Sequence, residues 1–255
     1  MGSVVSPGLD DAWLDAEARR DPLRHAFAVW DRLRFPDRVS FLTLREDGRP
    51  TAYLLLWRGA PPHTYVHWVG DAPNPLPLLA LLPRRPLTVV APLELADAIA
   101  RRIGGTSAVV RLLAFDPDRP APPPLEGRAR ALGAVDTELL HAFGRASPEP
   151  LVAAYRTVDP ARDRVFGAFH DGRLAAVARA QVALPKVWLI GGVYTDPEHR
   201  NLGLGADLMR LIVRTALSEG ARPALYVLEA NAAARRLYER LGFDLVERRA
   251  RVEAT

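Results

Sequence analysis

From Val193 to Gly205 the chain reads VYTDPEHRNLGLG, and from Asn231 to Phe243 it reads NAAARRLYERLGF. These two runs constrain the fold more than anything else in the sequence. The first is an apolar strand that empties into a glycine-bearing loop and then a helix. From Gly203 to Glu219 the apolar residues Leu204, Leu208, Leu211, Ile212 and Leu217 fit one helical face, and Gly220 is placed to end the helix. PALYVLE reads as the next strand, and Asn231 to Leu241 as the next helix. Glycines in such a loop allow close backbone approach, and its successive amides point into a concavity. The helix adds the positive end of its dipole, so the loop suits an anion, a diphosphate above all.

The same order of elements runs through the whole chain. In the C-terminal part DTELLHAFGR and PEPLVAAYRTV carry helical spacing, with Asp136 placed as an N-cap. RVFGAFHDGRLAAVARAQVA reads as a hairpin turning on Asp171-Gly172, VWLIGGVYT as an apolar strand and FDLVERRARV as a final strand. In the N-terminal part DDAWLDAEARR and PLRHAFAVWDRL read as helices, and SFLTLREDGRPTAYLLLW as a hairpin on Asp47-Gly48. TYVHWVG, PLTVVAP and SAVVRLLAF follow as strands, with LELADAIARRI as a helix. Between hairpin glycine and helix-ending glycine the second part is longer, and the excess coincides with its glycine loop and long helix. A duplicated domain whose first copy lost the loop accounts for this; two α/β halves with Asp-Gly turns in common by chance is the alternative. The proline-rich run DPDRPAPPPLEG separates the parts. The expected division is 1–115, a linker at 116–128 and 129–255, each domain an α/β (α+β) mixed, mostly antiparallel sheet flanked by helices.

Composition narrows the function classes. With no cysteine there is no disulfide, thiolate metal site or cysteine nucleophile. The six histidines are scattered without metal-ligand spacing, so no metal is expected. No Gly-Lys-Ser/Thr and no G-x-S-x-G run occurs, which leaves a Walker-type site and a serine hydrolase without support. The formal charge is +4, but basic and acidic residues are interspersed and all basic residues but Lys186 are arginine. That pattern fits coding bias better than a nucleic-acid partner. No apolar run is long enough for a membrane span and the N-terminus lacks a secretory pattern, so a soluble cytoplasmic protein, monomer or homodimer, is expected.

In the second helix Asn231, Ala234, Arg235 and Tyr238 share one face, and Leu237 and Leu241 occupy another. At its distance from the glycine loop, that polar face is suited to line a ligand cleft. YTDPEHRNLGLG and LYVLEANAAARRLYERLGF together resemble the acyl-CoA-binding core of the GCN5-related N-acetyltransferase (GNAT) superfamily. The resemblance runs from about Arg130 to Thr255 and is closest to the FR47-like branch, several of whose relatives have a degenerate N-terminal copy.

The resemblance implies roles residue by residue. The amides of Asn201, Leu202, Gly203, Leu204 and Gly205 would hold the diphosphate of acetyl-CoA, with Arg200 opening the loop. The strand backbone at Val193 and Thr195, flanking Tyr194, would pair with pantetheine. Asn231 would contact the pantetheine arm, Arg235 would line the cleft, and Tyr238 would sit near the sulfur as general acid. A tyrosine at its ordinary pKa of about 10 is protonated at neutral pH and can serve that role. Family members that acetylate protein N-termini carry a glutamate on the preceding strand, but the equivalent residue here is Tyr226. Glu229 is the nearby candidate base, with a water relay or an N-terminal-domain residue as alternatives; Glu198 and His199 are expected to face solvent. The implied activity is direct acyl transfer from acetyl-CoA to a primary amine of a small molecule or protein, with one CoA per chain. A non-catalytic acyl-CoA sensor is the alternative. An aminoacyl-tRNA-dependent transferase is disfavoured, because it does not need the diphosphate loop.

Overall fold

The computed structural model describes residues 3–58, 63–71, 74–83, 86–123 and 127–255. Within the expected linker, Pro124, Leu125 and Glu126 lie outside the described residues. The chain forms two compact units whose segments interleave. Met1–Leu112, Val227–Asn231 and Leu245–Thr255 make the first, and Leu113–Tyr226 with Ala232–Asp244 the second.

In chain order the strands are β1 (Ser3–Pro7), β2 (Val39–Glu46), β3 (Arg49–Arg58), β4 (Thr64–Gly70), β5 (Leu87–Pro92), β6 (Thr106–Phe115), β7 (Ala129–Leu132), β8 (Val165–His170), β9 (Arg173–Ala183), β10 (Val187–Thr195), β11 (Arg222–Leu228) and β12 (Phe243–Ala254). The helices are α1 (Asp11–Arg20), α2 (Ala26–Arg34), α3 (Leu76–Ala80), α4 (Ala96–Ile103), α5 (Thr137–Ala146), α6 (Pro150–Ala153), α7 (Leu204–Ser218) and α8 (Ala232–Arg240).

In the first unit β1 to β4 are successively antiparallel, and β4 pairs in parallel with β5. Asp47 and Gly48, at φ 49° and 80°, close the β2–β3 hairpin as expected, with Glu46 opposite Arg49. Alternation along β3 buries both faces: Leu54 joins Trp68, Leu78 and Ile99 on one side, while Tyr53 and Leu55 meet Leu14 and Ala28 on the other. Beyond β5 the next strand is the last of the chain, where Arg249–Ala254 of β12 run antiparallel to Leu87–Pro92 of β5. Alternation shows which face a residue takes but not which strand it will pair with, so this exchange was not legible beforehand.

The second unit repeats the order. β7 to β10 are successively antiparallel and β10 pairs in parallel with β11. Asp171 and Gly172, at φ 47° and 74°, make the expected hairpin turn between His170 and Arg173. Leu140 of α5, Val152 of α6 and Tyr155 pack with Leu132, Val165 and Val177 in one core. Helix α7 packs against β7 to β10 and buries Leu204, Leu208, Met209, Ile212, Val213 and Ala216. The expected flank residues Leu211 and Leu217 are only half-buried. Asp136 holds the N-cap position of α5 but bonds backwards: its carboxylate accepts from Gly133 N at 2.9 Å and takes a two-pronged contact from Arg130. Where the second unit has the 15-residue α7, the first has the five-residue α3. Gly104, at φ 63°, directly follows α4, and Gly242, at φ 96°, follows α8 after Leu241.

Candidate active site

The end of β10 is shaped by a bulge. Gly191 lies opposite Arg179 and Tyr194 opposite Val177, so three steps on β10 match two on β9. Gly192 takes up the extra residue at φ 64°, and its carbonyl accepts a 2.9 Å hydrogen bond from the buried hydroxyl of Tyr155. Burial pushes the Tyr155 pKa up, so this group is a permanent donor. The parallel register with β11 ends at Ile190 opposite Leu225, and β10 runs on to Thr195 outside it. A strand continuing beyond its neighbour is suited to backbone pairing with an extended ligand. Val193 and Thr195 alternate with Tyr194 along this stretch. The Tyr194 ring turns towards α5, 6.1 Å from Phe143, and its hydroxyl accepts from Ser147 at 3.4 Å. Tyr194 is therefore limited to backbone contacts with a ligand at this edge.

The loop after β10 is closed by its own groups. Asp196 accepts from Glu198 N at 3.2 Å, and Arg200 Nε returns to the Thr195 carbonyl at 3.3 Å. Asn201 and Gly203 take left-handed conformations at φ 65° and 80°. Ala206 N and Asp207 N both donate to the Gly203 carbonyl at 3.0 Å, which starts α7. Among the described residues, none accepts from the amides of Asn201, Leu202, Gly203, Leu204 or Gly205. Five backbone donors thus stand at the positive end of a 15-residue helix. A Cβ at Gly205 would lie 3.4 Å from Thr195 Oγ1 and 3.8 Å from Leu237 Cδ2. The end of β10, the first turn of α7 and helix α8 therefore meet at this glycine.

On α8, Arg235 is half-buried and its Nε has no hydrogen-bond partner among the described residues. Tyr238 is buried, its ring 5.9 Å from Phe243, and burial pushes its pKa up to about 12. The ordinary value taken from the sequence is thus too low, because the helix places the phenol against the core. Glu229 and Asn231 lie in the Val227–Asn231 segment that groups with the first unit. There Glu229 N donates to Val109 O at 2.8 Å, and its Oε2 lies 2.9 Å from Arg111 Nε and 3.1 Å from Arg248 Nε. The candidate base is engaged by two guanidiniums. Glu198 is exposed as expected, but His199 is only half-buried, with its ring 5.5 Å from His170. Three residues without a local sequence signal complete the site: Tyr155, Arg128 and Asp207. Arg128 Nη1 donates to the Leu202 carbonyl at 3.0 Å, and Nη2 lies 2.5 Å from Asp207 Oδ2.

A strand with a bulge, an amide-lined loop at a helix entrance and a following helix with a buried tyrosine thus adjoin one another. Residues 134–243 match the acetyltransferase (GNAT) family. This segment resembles a GNAT domain. The GNAT match covers the loop, α7, β11 and α8 but stops short of Arg128. Among solved structures, a protein from Drosophila is similar over 100% of this chain and 99% of its own, with TM-score 0.73 and 15% identity. A tandem GNAT protein from the clavulanic acid biosynthesis pathway is similar over 99% and 98%, with TM-score 0.62 and 18% identity. A protein of the GNAT family from Novosphingobium aromaticivorans is 25% identical over 78% of this chain and 89% of its own, with TM-score 0.53. No curated protein matches the chain significantly.

The residues present at this loop suit an anion. Among the described residues five loop amides have no acceptor and Arg235 Nε has no hydrogen-bond partner. No group of three or more His, Asp or Glu residues gathers as a metal site among the described residues. No helix among them is long and apolar enough to cross a membrane.

Proposed function

We propose that the chain binds acetyl-CoA in its second unit and transfers the acetyl group directly to a primary amine of a small molecule or protein. The observation that carries this reading is the set of five amides, Asn201 to Gly205, without an acceptor among the described residues, at the entrance of α7. They would hold the diphosphate, with the β10 edge at Val193 and Thr195 pairing with the pantetheine arm and Arg235 adding positive charge. The donor supplies a thioester, whose acyl carbon accepts the amine nitrogen as its bond to sulfur breaks. Tyr238 donates a hydrogen bond to the sulfur as negative charge develops there. Its pKa of about 12 lies above that of an ordinary thiol, about 8.5, so hydrogen-bond donation is favoured over complete proton transfer. We assign Glu229 a structural ion-pairing role and the removal of the amine proton to water. The first unit is read as a degenerate copy in the manner of the FR47-like branch, on the strength of the repeated element order and its five-residue α3.

Calorimetry with CoA, run beside a thiol-release screen over amine classes, tests the proposal. One CoA per chain and turnover with at least one amine are expected; absence of CoA binding overturns it. The engagement of Glu229 by Arg111 and Arg248 favours a second reading, an acyl-CoA sensor without turnover. Binding without thiol release from any amine would select it.

A further inference from the structure

We infer that Arg128 is a positioning residue of the diphosphate loop, acting through the Leu202 carbonyl and the buried carboxylate of Asp207. The inference rests on the proposed reading of that loop as the diphosphate site. Asp207 stands in the first turn of α7 and is 4% exposed, yet neither of its oxygens has hydrogen-bond geometry to a partner among the described residues. A buried carboxylate in that state needs a countercharge. It also lies at the helix end where a bound diphosphate would seek positive potential, so unpaired it would oppose the ligand. Arg128 Nη2, 2.5 Å from Asp207 Oδ2, supplies the countercharge.

The second contact sets direction. Within a trans peptide the C=O of one residue and the N–H of the next point opposite ways. By donating to the Leu202 carbonyl at 3.0 Å, Arg128 Nη1 fixes where the Gly203 N–H points. Leu202 sits between two left-handed residues, Asn201 and Gly203, and a left-handed non-glycine conformation persists only where its surroundings hold it. Arg128 is itself held immediately before β7, with its carbonyl accepting from Phe169 N at 2.7 Å. One side chain thus ties the first strand of the unit to both the loop and the helix that follows it.

The test is CoA calorimetry on the full chain and on Arg128→Ala, Arg128→Lys, Asp207→Asn and the Arg128→Ala/Asp207→Asn double variant, with thermal melting as a check of folding. Arg128→Ala is expected to bind CoA about tenfold more weakly, the scale of one charge-assisted hydrogen bond. Arg128→Lys, which keeps the charge but loses the fork, should fall between. Asp207→Asn should bind at least as tightly as the unaltered chain, and in its background Arg128→Ala should cost clearly less. Affinity for pantetheine, which lacks the diphosphate, should not change in any variant. An Arg128→Ala chain that binds CoA normally overturns the inference. So does an undiminished loss in the Asp207→Asn background, which would mean direct contact with the ligand, or a parallel loss for pantetheine. If Arg128→Ala does not fold, weaker binding by Asp207→Asn or unchanged binding by Arg128→Lys overturns it instead. Failure of the unaltered chain to bind CoA is a different result, and overturns the reading of the loop itself.

Discussion

Tyr155 holds Gly192 in the β10 bulge: its hydroxyl reaches the Gly192 carbonyl at 2.9 Å, while a Cβ on that glycine would lie 2.6 Å from the same oxygen. The two residues are matched, since only glycine suits both φ 64° and the approach of the hydroxyl. Gly192→Ala should therefore destabilise the second unit by about 2 kcal/mol or more, combining left-handed strain with the clash. Tyr155→Phe leaves the carbonyl without its donor and should cost about 1–3 kcal/mol. Denaturant unfolding measures both, and an unchanged midpoint for Gly192→Ala would contradict the bulge geometry.

The two loop glycines should differ in tolerance. Gly203 has φ 80°, and a Cβ there would meet Arg128 Nη2 at 3.4 Å. Gly203→Ala is expected to cost about 1–2 kcal/mol from backbone strain and to weaken CoA binding as the amides turn. Gly205 has no left-handed φ, and its nearest neighbours would be at ordinary contact distance, 3.4 and 3.8 Å. Gly205→Ala should change stability by no more than about 1 kcal/mol, with helix propensity in its favour. Equal CoA affinities for the two variants would sink this distinction.

What could be read from the sequence was local. The Asp-Gly turns at 47–48 and 171–172, the glycines that end α4 and α8, and the helix after RNLGLG depend on residues a few places apart. What was missed depends on distance along the chain. Arg128 precedes its partner Leu202 by 74 residues, and no spacing rule links them. Tyr155 was legible as a helical residue, but its hydroxyl's partner on β10 was not. The pairing of β12 with β5 is of the same kind, because a strand's pattern carries no address for its neighbour. The raised pKa of Tyr238 follows from burial that the polar face of α8 did not suggest.

Asp136 should make part of the second unit's stability depend on acid pH. Its carboxyl pKa is lowered from 3.8 to about 2, first by the hydrogen bonds from Arg130 and then by the Gly133 amide. A depressed folded value means that its contribution is present above the unfolded value of 3.8 and is lost as pH falls through about 2. In Arg130→Ala the carboxyl should titrate closer to its unfolded value, so the two proteins should differ most above pH 4 and converge towards pH 2. Half of the Arg130 side chain is exposed, which keeps the effect modest. Denaturant unfolding at a series of pH values decides the matter; a gap that stays constant with pH would rule out this pair as its source.

Tyr238 should matter to turnover and not to donor binding. Tyr238→Phe keeps the ring against Phe243 but removes the one polar atom proposed to meet the sulfur. Because burial raises the phenol to about 12, it remains protonated across the range where enzymes are assayed. Its contribution should stay level from pH 7 to about 11 and be lost only as pH rises through about 12. Any alkaline change in rate between those limits belongs to the acceptor amine and should survive in Tyr238→Phe. The expected loss is about 10- to 100-fold in kcat, towards the low end for acid–base groups because donation of a hydrogen bond falls short of full proton transfer. CoA affinity by calorimetry should be unchanged. A Tyr238→Phe chain with full kcat would remove Tyr238 from the proposed chemistry, and one with weakened CoA binding and normal kcat would recast it as part of the donor site.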